Sequence, residues 1–283
     1  MERVAQKRSG TAAVAGAELY YEVRGRGPAV LLIAGATGDA GHFEQAADVL
    51  ALEHTVITYD RRGNSRSRRA GPTTLDQQAD DAAALLRHVG AAAAVVFGTS
   101  GGAIIALKLA MRTPEVARDV IVHEPPFLQV LPDGAELGRA FQAQVEQALA
   151  TRGARGAMEL FLRENAGSDV VDRLDPTLRE RMIANGPSFF DHELAMFMSW
   201  IPSETELAGV HVPVRALAGR DNRGHYYYRA AEWLAKALGV DLVEIPGAHA
   251  PYLTHPREFA AALQPLLNRD LNAHLELDAG ARS

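Results

Sequence analysis

Apolar and polar positions alternate over residues 17–23, and after a turn at Gly25-Arg26-Gly27-Pro28 an unbroken apolar run covers 29–34. Alternation with period two marks a half-buried strand, and a short apolar run bounded by turn residues marks a fully buried one. A further run at 55–59 leads into a charged, glycine-bearing stretch at 60–67. The period then changes. Leu75, Ala79, Ala82, Ala83 and Leu86 recur at helical spacing, Thr74 and Gln77 stand in capping-box register and Gly90 supplies a stop, so the spacing predicts a helix over 75–89.

A strand at 92–97, an apolar helix at 103–110 and a strand at 119–123 continue the alternation. It resumes with strands at 212–217 and 241–245 and helices at 226–238 and 256–267. This rhythm predicts an α/β fold, a mostly parallel central sheet with helices on both faces. Between 127 and 206 the pattern is helical without a convincing strand, which reads as a helical cap inserted into a core made of 1–126 and 207–270. Residues 271–283, polar and aperiodic, read as a flexible tail.

Composition narrows the function. The 283 residues are 47% hydrophobic, enough for a substantial core, and carry a net charge of −6 with both signs dispersed. No basic surface is left to grip nucleic acid or an anionic membrane, so neither is expected as a partner. The absence of cysteine removes disulfides, thiolate nucleophiles and sulfur-ligated metals together. Residues 1–10 are polar with no apolar run behind them, which predicts a cytoplasmic protein. A homodimer is left open.

The chemistry centres on Gly98-Thr99-Ser100-Gly101-Gly102, a G-x-S-x-G turn between a buried strand and an apolar helix. Such a turn exposes the Ser100 hydroxyl as a nucleophile. It also aims the Gly101 N–H, at the helix start, toward a developing oxyanion. A second oxyanion donor is expected from the loop Ala34-Gly35-Ala36-Thr37-Gly38, with the Ala36 N–H as candidate. The same loop supports a rival. Gly35, Gly38 and Gly41 follow a strand and Asp60 ends the next, which loosely imitates a dinucleotide fingerprint with Arg61 and Arg62 reading a phosphate. Its spacing is G-x-x-G-x-x-G, however, and it leaves Ser100 and His249 without a role.

Of the ten histidines, His249 in Pro246-Gly247-Ala248-His249-Ala250-Pro251 follows the last predicted strand, where its ring could reach the serine as general base. His255 precedes Pro256 at a helix start, a capping or packing position, and no histidine pairs with a carboxylate at metal-ligand spacing. No metal or cofactor is called for. Two residues could orient the imidazole: Glu124, ending a strand in Val122-His123-Glu124-Pro125-Pro126, and Asp221 in Gly219-Arg220-Asp221-Asn222. The common spacing of a glycine and an acid three residues on lands on Asn222, one position past Asp221.

From about residue 17 to 267 the chain resembles the α/β-hydrolase superfamily, with Tyr59-Asp60-Arg61-Arg62-Gly63-Asn64-Ser65-Arg66-Ser67 matching its second-loop signature. Within it, Val122-His123-Glu124-Pro125 and His249-Ala250-Pro251-Tyr252-Leu253-Thr254-His255-Pro256 are similar to the lactonases that open zearalenone. Those lactonases carry the acid as a glutamate on this strand, so the resemblance points to Glu124. Ala36 departs from them, standing where they have a glycine.

The resemblance implies a serine hydrolase acting on a small-molecule ester or lactone through an acyl-enzyme. In the cap, Phe190, Leu194, Phe197 and Ile201 form one helical stripe and Phe189, Met196 and Trp200 a second. The second is the expected roof of a pocket for an apolar or polycyclic group. A ligand receptor on the same scaffold, a thioesterase and a cofactor-free haloperoxidase are the competing readings. Epoxide hydrolase and haloalkane dehalogenase chemistry would need a carboxylate where Ser100 stands.

Overall fold

A computed structural model describes residues 6–91 and 93–268. Nine strands form one sheet: β1 (Lys7–Val14), β2 (Ala17–Arg24), β3 (Ala29–Ile33), β4 (Thr55–Tyr59), β5 (Arg68–Arg69), β6 (Ala94–Thr99), β7 (Ala117–His123), β8 (Val214–Gly219) and β9 (Val243–Ile245). Their order is β1-β2-β4-β3-β6-β7-β8-β9, with β5 paired to β2. From β4 through β9 neighbouring strands run parallel, while β1, β2 and β5 are antiparallel additions. Every residue of β6 is buried, so both faces of the sheet are covered.

The covering helices of the core are α1 (Glu44–Leu50), α2 (Leu75–His88) and α3 (Gly101–Arg112), joined after the cap by α10 (Tyr226–Leu238), α11 (Pro251–Thr254) and α12 (Pro256–Leu267). The capping box read from Thr74 and Gln77 is formed at the start of α2. Here α1 packs on α12 and α2 on α3. β1 was not anticipated. Its exposed polar residues hide the period, and it is held by full antiparallel pairing with β2, from Lys7 opposite Arg24 to Val14 opposite Ala17.

Between β7 and β8 the described chain is helical: α4 (Gly134–Ala166), α5 (Ser168–Arg173), α6 (Pro176–Ala184), α7 (Gly186–Ser188), a π-helical turn (Phe189–Glu193), α8 (Leu194–Met198) and α9 (Glu204–Ala208). α4 is broken at Gly153, whose φ of 63° and ψ of 175° are not helical. The break folds its halves back on each other, and Gln144 Nε2 of one donates to Glu164 Oε1 of the other at 2.7 Å. Residues 271–283, read as a tail, lie outside the described residues. Among those described, no helix is long and apolar enough to cross a membrane.

The strand order locates the working end of the sheet. β3 and β6 are neighbours whose onward connections run in opposite directions, from β3 to β4 and from β6 to β7, opening a crevice outside the strand ends. The loop after β3, the turn after β6 and the exits of β7, β8 and β9 all gather there.

Candidate active site

β6 ends at Thr99 and α3 starts at Gly101, which leaves Ser100 alone in the turn with φ 55° and ψ −124°. A non-glycine residue held there costs about 1–3 kcal/mol. The surroundings impose it: the Ser100 N–H donates to the His123 carbonyl at 2.9 Å, and the flanking glycines admit no side chain. A Cβ on Gly98 would lie 2.1 Å from the Gly102 carbonyl oxygen, and one on Gly102 would lie 2.3 Å from that of Ile33. The loop after β3 presses on Ser100, since a Cβ on Gly35 would come within 2.9 Å of Ser100 Cβ. Ala36, Ser100 and Gly101 border one cavity, so the residues of the two expected oxyanion donors share it with the serine.

Glu124 leaves β7 with φ 48°, its N–H bonded to the Leu217 carbonyl at 3.1 Å. The carboxylate is fully buried and fully bonded. The Gly219 N–H donates to Oε1 at 2.9 Å, Asn222 Nδ2 to Oε2 at 2.8 Å, and His249 Nδ1 lies 2.7 Å from Oε2. Burial pushes this carboxyl up, but the His249 hydrogen bond, the positive potential of His123 and His249 and the Gly219 N–H outweigh it and hold it at about 2. An ionised carboxylate can only accept, so Nδ1 carries the imidazole proton and Nε2 is left basic. The Tyr227 ring stacks on the imidazole at 3.5 Å between centroids and 11° between planes, fixing its tilt.

Ser100 and His249 border a common cavity, and no hydrogen bond joins their side chains. Asp221 is not part of this group. It is exposed, in the middle of a single helical turn, Arg220–Asn222, and its N–H is tied to the Gly247 carbonyl at 3.0 Å. Its neighbour Asn222 reaches Glu124 instead, at the position where the glycine-plus-three spacing falls.

Two further histidines escaped the sequence reading. His123, fully buried, lies under His249 with 6.2 Å between ring centroids, and its Nδ1 is 2.9 Å from Thr99 Oγ1. His42 bonds Thr37 Oγ1 beside the oxyanion loop and stacks on Tyr252. Burial lowers both to about 4, so both are neutral near pH 7. Nothing local in the sequence marks either of them. Among the described residues no three His, Asp or Glu side chains are grouped to hold a metal.

The cap is fastened over this site by charge. Glu193, in the π-helical turn and fully buried, receives Arg61 Nη1 and Nη2 at 2.7 Å each, Asn64 Nδ2 at 2.8 Å and Gln78 Nε2 at 3.2 Å. The same Arg61 donates to the carbonyls of Ala34 at 3.0 Å and Gly35 at 2.9 Å, so one guanidinium joins the cap to the oxyanion loop. Arg181 on α6 binds Asp39, with Nε at 2.9 Å, and Asn185 donates to the Thr37 carbonyl at 2.5 Å. The residues of the rival dinucleotide pattern, which the spacing already disfavoured, are engaged within the protein. Arg61 is spent on Glu193, Arg62 on Asp81 at 2.6 Å, and Asp60 on the Ala40 N–H and Arg66.

The predicted roof is corrected in part. Phe189 lines the apolar cavity, but its companions there from this part of the cap are Leu194, Phe197 and Met198. The π turn adds a residue per turn and rotates the helix beyond it, so the two stripes do not stay on separate faces. Met196 packs on the hydrophobic core, and Trp200 stands against Phe127 with Lys108 Nζ 4.4 Å over its ring.

Known proteins share this architecture. A model of the Alpha/beta hydrolase family matches residues 30–262. An uncharacterized hydrolase of Bacillus subtilis, YraK, is 35% identical over 278 residues, 93% of this chain and 97% of its own. A zearalenone hydrolase of Cladophialophora bantiana is 26% identical over 261 residues, 87% of this chain and 91% of its own. Among solved structures, an alpha/beta hydrolase from Sphaerobacter thermophilus superposes with a TM-score of 0.69 at 27% identity, covering 90% of this chain and 98% of its own.

Proposed function

This chain belongs to the alpha/beta hydrolase family, and from that premise we propose that it is a serine hydrolase cleaving a carboxylic ester or lactone of an apolar small molecule through an acyl-enzyme. Ser100 Oγ attacks the carbonyl carbon while His249 Nε2 takes its proton. Glu124 keeps the ring in the Nδ1–H tautomer and stabilises the imidazolium that forms. The N–H groups of Ala36 and Gly101 receive the oxyanion, an effect worth on the order of 3 kcal/mol per donor. Collapse expels the alcohol, which leaves with the proton from His249, and water attacks the Ser100 ester by the same route in reverse.

The observation that carries this reading is the 2.7 Å bond from His249 to a buried, ionised Glu124, with the same imidazole bordering the cavity of Ser100. The likeness to a zearalenone hydrolase points the same way, zearalenone being a lactone. Incubation with a fluorophosphonate followed by peptide mass spectrometry tests it. The expected result is one adduct, on Ser100, with loss of p-nitrophenyl acetate turnover in step. An adduct elsewhere, or turnover surviving in Ser100→Ala, would overturn the mechanism, and tight ligand retention without turnover would favour a receptor.

A further inference from the structure

The space around Ser100 is divided very unequally. An apolar chamber bordered by Ser100, Gly101 and Ala36 has walls that include Phe189, Leu194 and Phe197, and its volume is only about 30 Å³. A second chamber, bordered by Ser100, His249 and Thr37, offers another 30 Å³ or so. A third, between the folded-back halves of α4 and the start of α10, offers about 580 Å³; it is bordered by His249 but not by Ser100. Phe161 of the cap lines all three. With Phe141, Tyr226 and Tyr227 it also forms the partition between the apolar chamber and the wide one.

Chemistry assigns an occupant to each side. The imidazole that returns a proton to the departing oxygen must lie beside that oxygen, so the alcohol part of an ester extends on the His249 side. The acid part stays with the nucleophile and the oxyanion donors. Resting on the serine-hydrolase reading, we infer that the substrate is an ester of a short apolar acid with a large alcohol, and that Phe161 is the residue limiting the acid. The wide chamber has Gln144, Glu164, Asn165, Asn222 and Arg229 on its walls, so the alcohol carries hydrogen-bonding groups of its own. A polycyclic group belongs on that side.

Two series of esters test this on the purified protein. With p-nitrophenol as constant alcohol, kcat/KM is expected to be high for acetate and butyrate and to fall about a hundredfold at octanoate and benzoate. With acetate as constant acid, the bulky 4-methylumbelliferyl and acetylated-disaccharide esters are expected to match or exceed p-nitrophenyl acetate. Phe161→Ala should raise the ratio of octanoate to acetate kcat/KM about tenfold or more, with Phe161→Leu intermediate. Wild-type protein that hydrolyses octanoate as well as acetate, or a Phe161→Leu variant that changes all esters alike, would overturn the assignment. Failure of the serine-hydrolase reading itself looks different: no ester turned over and no label on Ser100.

Discussion

Core and cap face the same cavity and hold their side chains by different means. In the core the candidate catalytic groups are set by backbone. Ser100 and Glu124 both sit at positive φ, each anchored by its own N–H to a neighbouring strand, and His249 is clamped between a carboxylate and a tyrosine ring. In the cap the positions depend on side-chain charge. Glu193, Arg181 and Asn185 reach across to Arg61, Asp39 and Thr37, while the half of the cap built from α4 borders the wide chamber. A backbone-set site can lose a side chain and keep its shape. A charge-set element can lose its position when one partner goes, so substitutions in the two regions should separate chemistry from stability.

The largest effects are expected in the core and should appear in rate alone. Ser100→Ala should reduce kcat by a factor on the order of 10⁴–10⁶ with the unfolding midpoint unchanged within error. Glu124→Gln should cost about 10³–10⁴ in kcat, because an amide donor facing Nδ1 favours the wrong tautomer, while Asp221→Asn stays close to wild type. Steady-state kinetics on the pair decides the acid: if the Asp221 variant collapses and the Glu124 variant does not, the assignment made from their geometry is wrong.

In the cap the order of effects reverses. Glu193→Gln leaves the Arg61 guanidinium buried without its counter-charge, and removing one partner of such a pair costs about 3–5 kcal/mol. Urea unfolding should register that loss, whereas the double variant Arg61→Met with Glu193→Leu should regain much of it, since an apolar pair needs no desolvation of charge. Simple additivity of Arg61→Met and Glu193→Leu, each measured singly, would show that the pair is not a unit and that the cap is held otherwise. The double variant also frees the carbonyls of Ala34 and Gly35, so its kcat is expected to stay low even where its stability recovers.

The same contrast explains what could be read from sequence. The turn at Ser100 is local, with strand, glycines and helix within a few positions, and the strand exits at Glu124 and His249 are marked by prolines and glycine. Asn222 was signalled only by a spacing that pointed past Asp221. The pairing of Arg61 with Glu193 spans 132 positions and leaves no periodic trace, and Phe161 reads as an ordinary core residue until the break at Gly153 folds α4 back over the site. The roof assigned to Met196 and Trp200 failed for a local reason, a π turn that no hydrophobic period encodes. β1 was invisible because its exposed residues are polar and its pairing partner does the ordering.

Acid should loosen the core through groups that the proposed chemistry does not titrate directly. His42 and His123 have folded values near 4 against an ordinary 6.5, both depressed by burial. A depressed histidine binds more protons unfolded than folded, so its stabilisation is full above about 6.5 and drains away as the pH falls toward 4; the loss amounts to about 3 kcal/mol for each residue. Glu124, held at about 2 against 4.5, adds a second loss that begins below 4.5. Urea midpoints should therefore fall in two stages, the first centred between pH 6.5 and 4.

The exposed attachment of the cap's first helix should matter least. Arg229 of α10 reaches Asp133 with Nη1 at 2.9 Å and Nη2 at 2.5 Å, and Asp133 is open to solvent. Solvent and salt screen such a pair, and the entropy of holding two long side chains offsets what remains. Arg229→Ala should leave the unfolding midpoint unchanged, in contrast to Glu193→Gln, while altering KM for esters of large alcohols, because Arg229 lines the wide chamber. A stability loss from Arg229→Ala as large as that from Glu193→Gln would mean that both ends of the cap are fastened alike, and the distinction between them would go.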